Sequence, residues 1–212
     1  LPADTPRAVI PMGIPDPEVF TRTPVPDIGT TLNLLFVGRL DPEKGVITII
    51  EALKMMPTNL RIHLRILGSG SIEGQLKAMV CGGLSAKVDF EGEASLDDVR
   101  AAIKWSHIVI VPSLVTERWM EQWGRVPVEA MLSGRPCLVS DSGELPFISS
   151  TRETVFAAGD RTDLMNTIMR LATDAERLQG VADKQYVGAQ RFAPVTLAAQ
   201  LIELWTEVLE RK

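Results

Sequence analysis

The chain has 212 residues, of which 45% are hydrophobic and 23% charged, with 14 Pro and 16 Gly; this excludes disordered, collagen-like and low-complexity proteins. A formal net charge of -5 argues against a nucleic-acid coat or a basic membrane-surface protein. Two cysteines, Cys81 and Cys137, make no disulfide framework, and two histidines, His63 and His107, build no zinc site by themselves. A reducing, cytoplasmic setting is therefore expected, with no metal and no nucleic-acid partner.

Seven prolines fall before Ile28, so the start reads as an extended lead-in. A chain opening on Leu1 is also expected to be part of something longer. From there strands and helices alternate. Leu32–Gly38 is a continuous apolar run, the mark of a strand buried on both faces. Helices are expected over 45–56, 72–80 and 96–105, the last opened by a Ser95/Asp98 capping box. Strands are expected over 62–67, 88–91, 108–111 and 137–140, with a final short one at Val155-Phe156. A helix over 126–133 stops at Gly134, and helices over 163–172, 175–192 and 195–209 complete the chain. This order predicts a Rossmann-like α/β fold: a parallel sheet with helices on both faces.

In such folds ligands sit beyond the carboxyl ends of the strands, so the loops there carry the chemistry. The first, Gly38 to Gly45, holds Arg39 at the strand exit and Lys44 at the mouth of the next helix. Together they can grip a diphosphate without a metal; equally, Arg39 can pair with Asp41 or Glu43 at the surface. The second runs from Pro112 to Glu129. Gly124 precedes a helix whose free N–H groups suit a phosphate. Glu121 and Glu129, about 12 Å apart if fully helical, suit two hydrogen-bonding tasks along one extended ligand better than a shared proton. The bland alternative makes both of them solvated acids. Trp119, Met120 and Trp123 read as packing, and Gly143 as a turn. No G-x-x-x-x-G-K-[ST] occurs, which counts against ATPases and kinases.

The segments FVGRLDPEKG, LRILGSG, VDFEGEAS, IVIVPS and EQWGRVPVEAMLSGRPCLVSDSGELP, in that order, resemble the GT-B glycosyltransferases of family 4. The E-x7-E pair, Glu121 to Glu129, is the strongest element. The resemblance implies the donor-binding half of a two-domain enzyme. Residues 1–30 would be the interdomain connection, with Val9 to Ile14 leading into the domain. Residues 31–192 would be the nucleotide-sugar-binding domain, and 193–212 a helix crossing back to an acceptor-binding domain. It implies that a sugar moves from a nucleoside-diphosphate sugar to an acceptor hydroxyl with retention, no obligatory metal and no cofactor beyond the donor. Polysaccharide or glycolipid biosynthesis, peripheral at the inner face of a membrane, is the implied setting.

By the same resemblance, Arg39 and Lys44 would stabilise the leaving diphosphate and Glu121 would hold the sugar. Gly38 and the main chain of Gln122, Trp123, Gly124, Arg125 and Val126 would contact phosphate and sugar, and Glu129 the ribose. Phe147 stands where the family usually carries an acid, which removes a polar contact at that turn. A non-catalytic nucleotide-sugar-binding module is the alternative, and an epimerase a weaker one that lacks visible acid–base residues. The last helix, with Leu197, Leu201, Leu204 and Val208 in a stripe, would lie exposed or self-associate in the chain alone.

Overall fold

A computed structural model describes residues 10–13 and 20–210. Of the expected lead-in, residues 1–9 and 14–19 lie outside them. Six parallel strands form one sheet in the order β3-β2-β1-β4-β5-β6. They are β1 (Thr31–Val37), β2 (Arg61–Leu67), β3 (Lys87–Gly92), β4 (Ile108–Val111), β5 (Cys137–Ser140) and β6 (Val155–Phe156). β1 pairs in register with β2 from Thr31↔Arg61 to Val37↔Leu67, and with β4 at Leu34↔Ile108. The chain thus reverses direction across the sheet between β1 and β4. A crevice opens at their carboxyl ends because the following loops leave to opposite sides.

Alternation along each strand divides the core in two. Leu32, Leu34 and Phe36 of β1 face one side with Ile108, Ile110 and Leu138. Helices α1 (Val46–Lys54), α2 (Glu73–Cys81) and α6 (Arg161–Ala172) cover that side through Ile49, Ile50, Leu53, Leu76, Leu164 and Ile168. Leu35, Val109 and Val139 face the other side. There α3 (Leu96–Trp105), α4 (Arg125–Leu132) and a short α5 (Leu145–Ser149) supply Ile103, Val128, Met131 and Ile148. Each fully buried aliphatic side chain contributes about 1.5–3 kcal/mol of transfer free energy, so both faces stabilise the sheet. α7 (Ala175–Ala189) ends in a 3-10 turn, and α8 (Pro194–Glu210) follows.

The expected elements stand within one to three residues, and the Ser95/Asp98 capping box is formed. α5 differs: residues 141–147 read as a turn, but Leu145 and Ile148 are buried and pull one helical turn onto the sheet. A 3-10 turn at Pro42–Lys44, also unexpected, ends on Gly45 in the left-handed region. No single helix among the described residues is long and apolar enough to cross a membrane.

Candidate functional site

A cavity of about 780 Å³ opens at the carboxyl ends of β1 and β4. The β1 exit contributes Gly38, Arg39 and Lys44, and the segment after β4 contributes Ser113, Glu121 and Trp123. The start of α4 adds Gly124, Arg125 and Val126, with Glu129 one turn deeper. Arg39 and the α4 start, far apart in sequence, therefore share one wall-to-wall space. Gln122 lies outside it and lines an adjoining hollow of about 590 Å³ that shares Lys44, Glu121 and Trp123.

The two acids are not solvated. Glu121 is 8% exposed and Glu129 4%, which settles against the bland reading of both. Glu121 accepts from the Lys44 ammonium at 2.7 Å and from the Ser113 hydroxyl at 2.8 Å. Its main chain is pinned as well, because Glu144 N–H donates to its carbonyl at 3.0 Å. Gly143 makes that approach possible: its φ is +52° and a Cβ there would sit 2.0 Å from the Glu121 oxygen. Glu129 accepts from the Arg125 guanidinium at 3.0 Å across one helical turn. A paired, hydrogen-bonded carboxylate tolerates burial that an isolated one would not.

Arg39 takes the surface pairing that the sequence left open. It donates to Asp41 and, at 2.9 Å, to Glu43, with 62% of its side chain exposed. Exposed pairs are weak, so Arg39 remains free to turn toward a ligand. Asp41 is held in turn by the Ser71 backbone N–H and hydroxyl, which with Arg39 keep its carboxyl below the usual range.

The start of α4 is open. Gly124 offers no side-chain cap, so the amides of Arg125 and Val126 lie at the cavity wall. Pro127, third in the helix, lacks an N–H that would have had no partner there. The indoles do more than pack. Trp123 lines the cavity and meets Phe192 edge-on at 4.9 Å, and the Lys44 ammonium sits over Trp119 at 4.8 Å from the ring centre. Phe147 lines neither space; it stacks with Arg191 at 4.4 Å. His63 and His107 stand outside the cavity, as expected of structural residues.

Sequence reasoning missed Ser113 and the apolar lining residues Ala94, Leu96 and Val99. Ser113 ends the IVIVPS string directly after β4, and that position was its only signal. Among the described residues no cluster of three or more His, Cys, Asp or Glu is placed to hold a metal.

An open parallel sheet of order 3-2-1-4-5-6 with a charged crevice at its switch point defines a Rossmann-like α/β domain. Residues 31–174 match the family model of glycosyl transferases group 1, and the chain belongs to that family. An uncharacterized glycosyltransferase of Methanocaldococcus jannaschii is 34% identical over 113 residues, covering 53% of this chain and 28% of that protein. The phosphatidyl-myo-inositol mannosyltransferase of Mycobacterium leprae is 28% identical, covering 86% of this chain and 48% of that one. The chain spans about half the length, or less, of the curated relatives it matches. Among solved structures, sucrose-phosphate synthase of Thermosynechococcus elongatus superposes with a TM-score of 0.75 at 22% identity, over 96% of this chain and 53% of that one. HepE of Anabaena, solved with UDP-glucose, superposes with a TM-score of 0.71 at 24% identity, over 85% and 50%. These likenesses show the fold, that of GT-B glycosyltransferases.

Proposed function

We propose that the chain is the donor-binding half of a retaining, metal-independent glycosyltransferase, moving a sugar from a nucleoside-diphosphate sugar to an acceptor hydroxyl. The observation that carries this is the single cavity joining Arg39, Lys44, Glu121, Glu129 and the open start of α4. In this reading the diphosphate lies between Gly38, the two cations and the Arg125 and Val126 amides. Negative charge grows on it as the bond to the sugar breaks, and cations and amides already aimed there lower the barrier. Glu121, held by Lys44 and Ser113, accepts from the sugar hydroxyls. Glu129 accepts from the ribose, and the apolar wall at Ala94, Leu96 and Val99 takes the base. Gln122, bordering the adjoining hollow, faces the sugar and acceptor side.

The relatives named for mannosyl and N-acetylglucosaminyl transfer support the reaction class, and HepE with bound UDP-glucose supports the donor class. An acceptor-binding domain, against which α8 packs, completes the enzyme.

Calorimetric titration with uridine, guanosine and adenosine diphosphates tests the reading. One of them binds, and chelator leaves the affinity unchanged. Arg39→Ala weakens both nucleoside diphosphate and inorganic pyrophosphate, by about 1.5–3 kcal/mol for a lost charge-assisted hydrogen bond. Glu129→Ala weakens the nucleoside diphosphate without weakening pyrophosphate. Equal losses for the two ligands in Glu129→Ala would remove the ribose assignment. The anomeric configuration of the product, read by NMR on the complete enzyme, decides retention.

A further inference from the structure

Among the described residues, each cation lining the cavity already holds a carboxylate: Arg39 holds Asp41 and Glu43, Lys44 holds Glu121, and Arg125 holds Glu129. The first of these pairs is exposed and cheap to open. The other two are not symmetrical. In Arg125–Glu129 the arginine side chain is 61% exposed and the glutamate 5%. In Lys44–Glu121 the values are 21% and 11%. Each of these two pairs joins a group suited to phosphate with a group suited to hydroxyls.

We infer that Arg125 is a specificity-determining residue: it covers Glu129 in the empty site and transfers to the diphosphate only when hydroxyls of the same ligand take its place on the carboxylate. The inference rests on the donor-binding reading above and concerns how that site tells a nucleotide from its parts. Arg125 opens α4 at the cavity wall, and Glu129 lies one turn later on the same face. A bare pyrophosphate that draws Arg125 away leaves Glu129 buried without a counter-charge, an unfavourable state. A ligand with both diphosphate and ribose opens the pair and satisfies each half, so no buried charge is orphaned. The guanidinium, mostly in water, moves at little cost; the carboxylate, fixed and buried, makes the exchange conditional. The Lys44–Glu121 pair has the same logic toward the sugar, softened because Glu121 keeps the Ser113 hydroxyl.

The consequence has an unusual sign. Glu129→Gln removes the charge that Arg125 must guard, so pyrophosphate should bind more tightly to this variant than to the wild type. Calorimetric titration of the whole chain is the experiment, with inorganic pyrophosphate and the best-binding nucleoside diphosphate as probes. A gain of about tenfold for pyrophosphate is expected in Glu129→Gln, within the ordinary range of coupling between sites. The gain should vanish in the Arg125→Ala/Glu129→Gln double variant, and the nucleoside diphosphate should weaken in Glu129→Gln.

A second measurement needs no variant: the matching free nucleoside at saturation should tighten wild-type pyrophosphate binding several-fold. Unchanged or weaker pyrophosphate binding in Glu129→Gln overturns the inference. So does a gain that survives the double variant, or a wild type without linkage. In each of those cases a weakened nucleoside diphosphate leaves the donor-binding reading standing. A wild type that binds neither probe removes that reading, and the inference with it.

Discussion

His107 shows how a buried polar residue fixes its own charge state. Its Nδ1 accepts from the Asn33 backbone N–H at 2.7 Å, so its Nε2 carries the proton and donates to the Asp27 carbonyl at 3.2 Å. Burial pushes its pKa below the ordinary value; the Asp27 contact opposes that shift and Arg135 adds to it. The unfolded chain therefore binds a proton near pH ~6.5 that the folded chain refuses. The resulting stability is fully present above the unfolded pKa and is lost as the pH falls from there toward the folded one. Urea midpoints measured across pH ~5 to ~8 should fall on the acid side, and less steeply for His107→Gln. An identical slope in the two proteins would contradict this. Arg135 is the opposite case, a buried cation with carbonyl partners. It donates to the Thr23 and Pro24 carbonyls at 2.8 and 3.0 Å and to the Lys104 carbonyl at 2.9 Å, and burial pushes its pKa down to about 10. It ties the lead-in to the end of α3, a role invisible in the string SGRPC.

At the scale of elements, the site depends on two loops meeting. Leu114 N–H donates to the Glu43 carbonyl at 2.8 Å, joining the β4 exit to the β1 exit. Gly45, between the Pro42–Lys44 turn and α1, has φ +69°, and a Cβ there would lie 1.9 Å from the Pro112 carbonyl oxygen. Only glycine fits both demands. Gly45→Ala should therefore push the exits apart, lowering stability by about 1–3 kcal/mol. Nucleoside-diphosphate affinity should fall with it, since Lys44 and Ser113 lie on opposite sides of the joint. A thermal melt and a titration of the same variant check this; normal values for both would mean that the backbone yields without cost. Gly143 plays the matching part beneath Glu121. By sequence Gly45 reads as a helix start and Gly143 as a turn, and only the packing shows which backbone each admits.

For the molecule as a whole, α8 is the exception to burial. Leu197 is its one buried residue, while Ile202, Trp205 and Leu209 are 65–68% exposed. A helix with so much apolar surface in water suits docking, and an acceptor-binding domain is its proposed occupant. In the chain alone the same face should self-associate. Sedimentation of the chain over a range of concentrations should show mass rising with concentration. Trp205→Ser and Ile202→Ser should suppress that rise and leave nucleoside-diphosphate binding intact, because neither residue lines the cavity. A monomer at every concentration would sink the self-association.

The order of strands and helices was legible because hydrophobic period is local: a run such as LNLLFVG declares a strand buried on both faces wherever it falls. The loops at strand ends were legible for the same reason, and with them Arg39, Lys44, Glu121 and Glu129 as candidates. Tertiary structure decided what those residues do with one another. Glu121 and Lys44 are 77 positions apart, and no periodicity reports a hydrogen bond between them. Nor does the sequence separate a solvated acid from one buried behind an arginine, because desolvation depends on every atom that excludes water, and those atoms come from the whole chain.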